Sequence, residues 1–308
     1  MSEKLEDGFT LVTKNSRRSA AKRRKNADKA IGILMHGRVD SDMTQSQILT
    51  LIDKCMGDMK GSTWFQEVKM IVCDHVKRVM DGMQASGGDR EAENVRQGSS
   101  IAGNLAHMEG EGERTKISRM VCYGIGNFSV SASSLLQISL ALLLKDFLHP
   151  PSSSLFDPVM TGAERQAAES LGFTIPQEDE VGLCTTDSDS LFFMPHCGRR
   201  LYSNVLRANW GPGNLSRLVV IGNSFGAYRM RNLSTDVRTS CCVEKLGEEM
   251  VVETLLPKHV EENSFIDTSV HSFPLKKLLL REQHDKEFWR ELAADVGGDD
   301  HSWTRSMS

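Results

Sequence analysis

One stretch limits the possible folds more than any other. From Ser131 to Leu148 the chain reads SASSLLQISLALLLKDFL, with Pro150-Pro151 behind it. The spacing predicts a helix that is apolar nearly all round, and such a helix has to be buried. Its most apolar part, Leu135 to Leu144, is ten residues long and contains Gln137 and Ser139. Spanning a bilayer takes ~20 apolar residues, so the stretch reads as the inside of a globular layer and not as a membrane segment.

The flanking pattern says what buries it. Met120–Tyr123 is a short apolar strand ahead of the helix, and Leu155-Phe156 is a second one behind it, closed by Asp157-Pro158. Thr161 to Leu171 reads as a helix, with Gly172 placed to cap its end. Phe173–Ile175 reads as a third strand, Leu191–Met194 as a fourth and Leu218–Ile221 as the last clear one. Leu201, Tyr202, Val205 and Leu206 mark a helix between the last two. Strands written as unbroken apolar runs, alternating with helices, are the pattern of a parallel sheet covered on both faces. The expected fold class is α/β: a Rossmann-like, open, mostly parallel sheet with helices on both faces, plus an N-terminal helical segment.

The chain divides into five regions. Residues 1–43 read as a basic, disordered arm, because Arg17-Arg18 and Lys22–Lys25 come with few apolar residues to offset ordering entropy. Residues 44–83 read as helical, with Ile48, Leu51, Ile52, Cys55, Met56 and Met59 at spacings of three and four. After a break at Gly61-Ser62, Phe65, Val68, Ile71, Val72, Val76 and Val79 repeat the pattern. Residues 84–116 hold six glycines and no periodicity, and read as a linker or insertion. The α/β domain occupies 117–295, with a helix over Leu275–Leu292, and 296–308 is a frayed tail.

Charge and cysteines narrow the chemistry. The net charge of -4 and the pI of about 6.2 do not direct the whole chain toward nucleic acid or an anionic membrane. The exception is residues 1–30, where nine Lys and Arg face four Asp and Glu. That arm reads either as an import or nucleic-acid patch or as a solvated tail. The start, Met1-Ser-Glu-Lys-Leu-Glu-Asp, has no apolar run after it and does not read as a secretory signal. Seven scattered cysteines with no CxxC pair read as reduced thiols, and no metal site is expected.

The residues just after each strand point to one rim. In a parallel sheet all carboxyl ends lie on one edge, and ligands bind there where the strand order reverses. The first strand runs into Gly124-Ile125-Gly126-Asn127-Phe128-Ser129, the second into Asp157 and the fourth into Pro195-His196-Cys197. The last runs into Gly222-Asn223-Ser224, and Asn204 on the intervening helix is placed to brace the rim. These twelve residues (Gly124, Gly126, Asn127, Ser129, Asp157, Pro195, His196, Cys197, Asn204, Gly222, Asn223, Ser224) are the candidate ligand-binding set.

Each member has two readings. The glycine turn resembles the dinucleotide fingerprint GxGxxG with Ser129 in place of the third glycine, or it is a tight strand-to-helix turn. Asp157 stands where an acid would bind ribose, although 31 residues after Gly126 and not the usual ~20, or it only initiates an Asp-Pro turn. His196 and Cys197 are a nucleophile pair, haem contacts or structural residues. The cofactor candidates are S-adenosylmethionine, NAD(P) and haem.

At these residues the chain resembles a known family. LFFMPHCGRRLYSNVLRANW (191–210), CYGIGNFS (122–129), LFDP (155–158), VVIGNSFGAY (219–228) and FIDTSVHSFP (265–274) look like the motifs of the Sensitivity-to-Red-Light-Reduced (SRR) family. Leu155-Phe156 departs slightly, at a place where Tyr is common. The match covers about half the chain and leaves out 84–116, while the basic start is similar to that of animal members. The resemblance implies a regulatory protein of circadian-clock input and haem biosynthesis, located in the cytoplasm with the nucleus as a second place, and a yeast relative is tied to microtubule function. It implies protein partners and carries over no catalytic residue. The alternative is an enzyme using S-adenosylmethionine or a nicotinamide nucleotide. The S-adenosylmethionine pattern usually has an acid before its glycines, whereas here the stretch is Val121-Cys122-Tyr123.

Overall fold

The structure is a computed structural model, and it describes residues 43–84, 117–230, 241–259 and 264–290. The basic arm up to residue 42, the linker beyond residue 84 and the tail 296–308 lie outside the described residues.

Six strands form one sheet in the order β2-β1-β3-β4-β6-β5. They are β1 (Arg119–Tyr123), β2 (Ser152–Phe156), β3 (Ser190–Met194), β4 (Leu218–Asn223), β5 (Val252–Leu255) and β6 (Thr268–Ser272). The first four pair in parallel, β6 runs antiparallel to β4, and β5 runs antiparallel to β6. The helices are α1 (Gln45–Lys60), α2 (Thr63–Gln84), α3 (Ala132–Leu148), α4 (Gly162–Ser170) and α5 (Arg199–Ala208). Three short ones, α6 (Pro212–Leu215), α7 (Phe225–Met230) and α8 (Cys242–Leu246), come after them, and then α9 (Leu275–His284). This is the expected open α/β fold with its N-terminal helical segment.

Side-chain alternation divides the interior into two apolar layers. Met120, Cys122, Leu155, Leu191, Phe193, Val219 and Ile221 face α1 to α4. Val121, Tyr123, Phe192, Met194, Leu218 and Val220 face α5 to α9. The N-terminal hairpin is part of the first layer: Ile48, Ile52, Phe65, Val68, Val72 and Val76 are buried in the same core as α3. His75 fixes the hairpin to the sheet with a ring nitrogen 2.9 Å from each of the Ser272 and Thr254 hydroxyls. Burial and the neighbouring His271 hold that histidine down at about 4.

α3 lies at the centre of the first layer, as its composition requires. Ser131 caps it by accepting the Ser134 N–H, and the chain leaves it through a left-handed His149 into Pro150-Pro151. Its two internal polar residues are satisfied. The Ser139 hydroxyl donates to the Leu135 carbonyl at 2.7 Å, and the Gln137 amide donates to the Ser264 carbonyl at 3.2 Å.

Three local expectations are corrected. Phe173–Ile175 is not a strand of the sheet: it forms one parallel bridge, Thr174 to Ser154, that covers the edge of β2. The helix from Leu275 stops at His284, because the Asp285 carboxylate accepts the Glu287 and Phe288 N–H groups and turns the chain. Leu218–Asn223 is not the last strand, since β5 and β6 come after it.

Candidate functional site

The strand order reverses between β1 and β3, where one crossover leads outward to β2 and the next leads back across the sheet. The crevice outside their carboxyl ends is the topological switch point. The glycine turn after β1 and the Pro195-His196-Cys197 turn after β3 meet there.

The glycine turn is a closed structure. Gly124 and Gly126 both hold positive φ, at 67° and 77°. A Cβ on Gly124 would overlap Cys197 Sγ, and one on Gly126 would come within 2.7 Å of Ser134 Oγ. The amides that a phosphate would use are already occupied by carboxylates of this chain. Gly126 N–H donates to Asp157 Oδ2 at 2.7 Å, and Ser129 N–H donates to Glu164 Oε1 at 2.7 Å. The other Asp157 oxygen takes Val159 N–H at 2.9 Å, and the other Glu164 oxygen takes Thr161 N–H at 2.7 Å within a capping box. The Asn127 side chain accepts the Ser129 hydroxyl at 2.8 Å. Both carboxylates are buried, and each accepts one backbone N–H on each of its oxygens. A pyrophosphate would have to displace a negative charge from each amide, so these residues do not fit a dinucleotide.

The turn after β3 has a different character. His196 adopts φ 55°, a left-handed conformation rare outside glycine, and it is exposed while Pro195 and Cys197 on either side are buried. Two bonds hold it there. Its N–H donates to Asn223 Oδ1 at 2.7 Å, and Nε2 lies 2.9 Å from the Ser264 carbonyl. A carbonyl only accepts, so Nε2 carries a proton, and in the neutral ring the lone pair is on Nδ1. Such a conformation costs a non-glycine residue about 1–3 kcal/mol and persists where the surroundings hold it.

The Cys197 thiol is buried and not activated. Its Sγ lies 3.4 Å from the Tyr123 carbonyl, and burial, reinforced by the Asp157 charge, pushes the thiol up to about 12. Haem fits poorly as well, because the Nε2 of His196 is engaged and the Cys197 thiol is buried under Gly124.

The rest of the candidate set supports these turns. A Cβ on Gly222 would collide with Tyr202, whose hydroxyl donates to the Met194 carbonyl and accepts Asn223 N–H at 2.8 Å. The Asn223 amide donates to the Cys197 carbonyl at 3.0 Å and to the Tyr228 hydroxyl at 2.7 Å. The Ser224 hydroxyl caps Ala227 N–H at 3.0 Å, and its N–H donates to the Asp267 carbonyl at 2.6 Å. Asn204 stands apart: it donates to the Val181 carbonyl at 2.8 Å and bonds none of the others.

Sequence reasoning missed Glu164, Ser264 and Glu253. Glu164 did carry a signal, the Thr161-x-x-Glu164 capping box, but nothing in that motif showed its reach to Ser129. Glu253 accepts Gly226 N–H at 3.1 Å and the Ser269 hydroxyl at 3.0 Å, with His271 Nε2 at 3.5 Å. Burial alone would raise Glu253, but the neighbouring His271, with Ser224 and Gly226, outweighs it and holds the carboxyl at about 2.

The model of the SRR1 domain family matches residues 89–272. It therefore begins inside the 84–116 stretch that the motif resemblance left out, and it ends on the last residue of β6. "Protein SENSITIVITY TO RED LIGHT REDUCED 1" of Arabidopsis thaliana is 34% identical over 171 residues, covering 53% of this chain and 60% of that protein. An "SRR1-like protein" of Mus musculus is 36% identical over 119 residues, covering 38% and 48%. One of Drosophila melanogaster is 28% identical over 183 residues, covering 59% and 64%. In each case the aligned part is less than two thirds of the relative's own length. The family pattern runs through every strand of the sheet and both turns of the switch point, and the chain belongs to the SRR1 domain family.

Proposed function

We propose that the chain is a regulatory protein of light and circadian-clock input, with a further role in regulating haem biosynthesis. It acts by presenting the His196 turn to a protein partner. The observation that carries this reading is the contrast at the switch point. The amides suited to a phosphate are filled by Asp157 and Glu164, while His196 is held outward in a strained conformation with a free Nδ1. Beside it three apolar side chains are exposed at the same edge of the sheet: Val130 (43%) after β1, Val159 (53%) after β2 and Ile266 (55%) before β6. Apolar groups around a polar centre make a surface for a protein and not for a nucleotide. The name of the Arabidopsis relative supports the link to light input. No described helix is long and apolar enough to cross a membrane. Partners in the cytoplasm, and in the nucleus if the basic arm is an import signal, complete the reading.

Thermal unfolding of the full chain against S-adenosylmethionine, NAD(H), NADP(H), ATP, GTP and hemin tests it. A ligand at 100 times its dissociation constant adds about 2.7 kcal/mol, a shift of several degrees at ~2–4 °C per kcal/mol. The expected result is no shift with any of them. A shift with one nucleotide that disappears in His196→Ala would overturn the partner reading in favour of a cofactor site.

A further inference from the structure

The two edges of the sheet are treated differently. At β2 the outer edge is covered: Leu155 N–H donates to the Thr174 carbonyl at 3.0 Å, and Thr174 N–H donates to the Ser153 carbonyl at 2.9 Å. At β5 nothing comparable stands among the described residues. Leu256 N–H donates to the Thr268 carbonyl at 2.8 Å, and the register pairs Leu255 with Ser269. In an antiparallel ladder the backbone groups alternate in direction, so Val252 and Thr254 turn theirs toward β6. Those of Glu253 and Leu255 point off the sheet. Unpaired edge groups are a template for another strand. The Leu255 side chain beside them is 60% exposed. Leu279 and Leu280 are exposed on α9, the helix whose Lys277 donates to the Val251 carbonyl at 3.2 Å next to the same strand.

We propose that two copies of the chain join through β5, antiparallel about a twofold axis centred on Thr254, into one continuous sheet. The register is self-complementary. Glu253 of one copy lies opposite Leu255 of the other, and each outward N–H meets an outward carbonyl. The charges favour this direction. Glu248 and Glu249 precede β5, Lys258 comes after it, and all three are exposed. Among the described residues Glu248 has a loose partner, Arg229 at 4.0 Å. Antiparallel pairing brings the acidic start of one strand to the basic end of the other, whereas parallel pairing would set like charges together.

Light scattering on the full chain from about 1 to about 100 µM tests the association, and the expected mass rises from 34.2 kDa toward twice that value. Leu255→Pro removes an outward N–H without touching the ladder to β6, a substitution edge strands tolerate. It is expected to weaken association at least tenfold at an unfolding midpoint near the wild-type value. Leu255→Lys tests the same contact should the proline variant fold poorly. The pair Thr254–Thr254 on the axis is non-hydrogen-bonded, with Cα atoms ~4.5 Å apart, inside the ~4.4–6.8 Å that a disulfide needs. Thr254→Cys is therefore expected to cross-link copies under mild oxidation well beyond the wild-type background. Single-chain mass at the highest concentration overturns the proposal, and so does cross-linking by Thr254→Cys no greater than that of the wild-type cysteines.

Discussion

The turns after β1 and β3 lie side by side at the switch point, yet they spend their hydrogen bonds in opposite ways. The glycine turn directs its amides inward, onto Asp157 and Glu164, and closes on itself. The β3 turn uses Asn223 and Ser264 to hold His196 outward in a conformation that its own side chain disfavours. The motif that most resembles a binding fingerprint thus has its amides filled by carboxylates of its own chain, while the histidine beside it is exposed. The β4 turn is intermediate: it is closed by a carboxylate, Glu253, but from the antiparallel edge of the sheet.

The largest expected effect breaks the closed turn. Gly124→Ala adds left-handed strain of ~1–2 kcal/mol and an overlap with buried Cys197 worth a further ~1–3 kcal/mol. Denaturant unfolding is expected to show a loss of about 2–5 kcal/mol. Adding Cys197→Ala should recover the overlap part but not the strain, and a double-mutant cycle separates the two.

Asp157→Asn and Glu164→Gln come next, at about 1–3 kcal/mol each, because each weakens charged acceptors for buried amides. If either variant were as stable as wild type, the glycine turn would not depend on its carboxylates.

Glu253→Gln is expected to cost about 1–2 kcal/mol at neutral pH. The folded-state value lies below the ordinary 4.5, so Glu253 contributes stability that is complete above that pH and lost as pH falls through about 2. Acid unfolding of the variant should lack that component. The depressed His75 acts in a higher window: stability present above 6.5 is lost as pH falls toward about 4, and His75→Gln should flatten the slope there.

The smallest effect on stability is expected where the effect on function is greatest. His196→Gly loses one part-buried hydrogen bond, to the Ser264 carbonyl, and relieves the left-handed strain, so the two effects offset and its stability should stay within about 1 kcal/mol of wild type.

Much of this architecture was legible in the chain. The unbroken apolar runs of β1, β3 and β4 and the all-apolar α3 state a covered parallel sheet directly, and the residues after them do converge on one rim. β6 was not legible, because Thr268-Ser269-Val270-His271-Ser272 buries polar side chains that only the fold satisfies, such as Ser269 on Glu253 and Ser272 on His75. Phe173–Ile175 has the apolar content of a strand but supplies one bridge at an edge. The roles of the rim residues were the least visible. Whether a buried Asp faces a ligand or an amide depends on the 2.7 Å between Asp157 and Gly126, two residues 31 positions apart.

The function proposed for His196 has to be separated from the stability of the frame around it. The direct measurement is the cycling amplitude of clock-gene transcripts in cells that lack the endogenous chain, restored with wild type or His196→Gly at matched protein levels. His196→Gly is expected to accumulate normally and to fail to restore the amplitude. Full restoration by His196→Gly would contradict a role for the outward histidine.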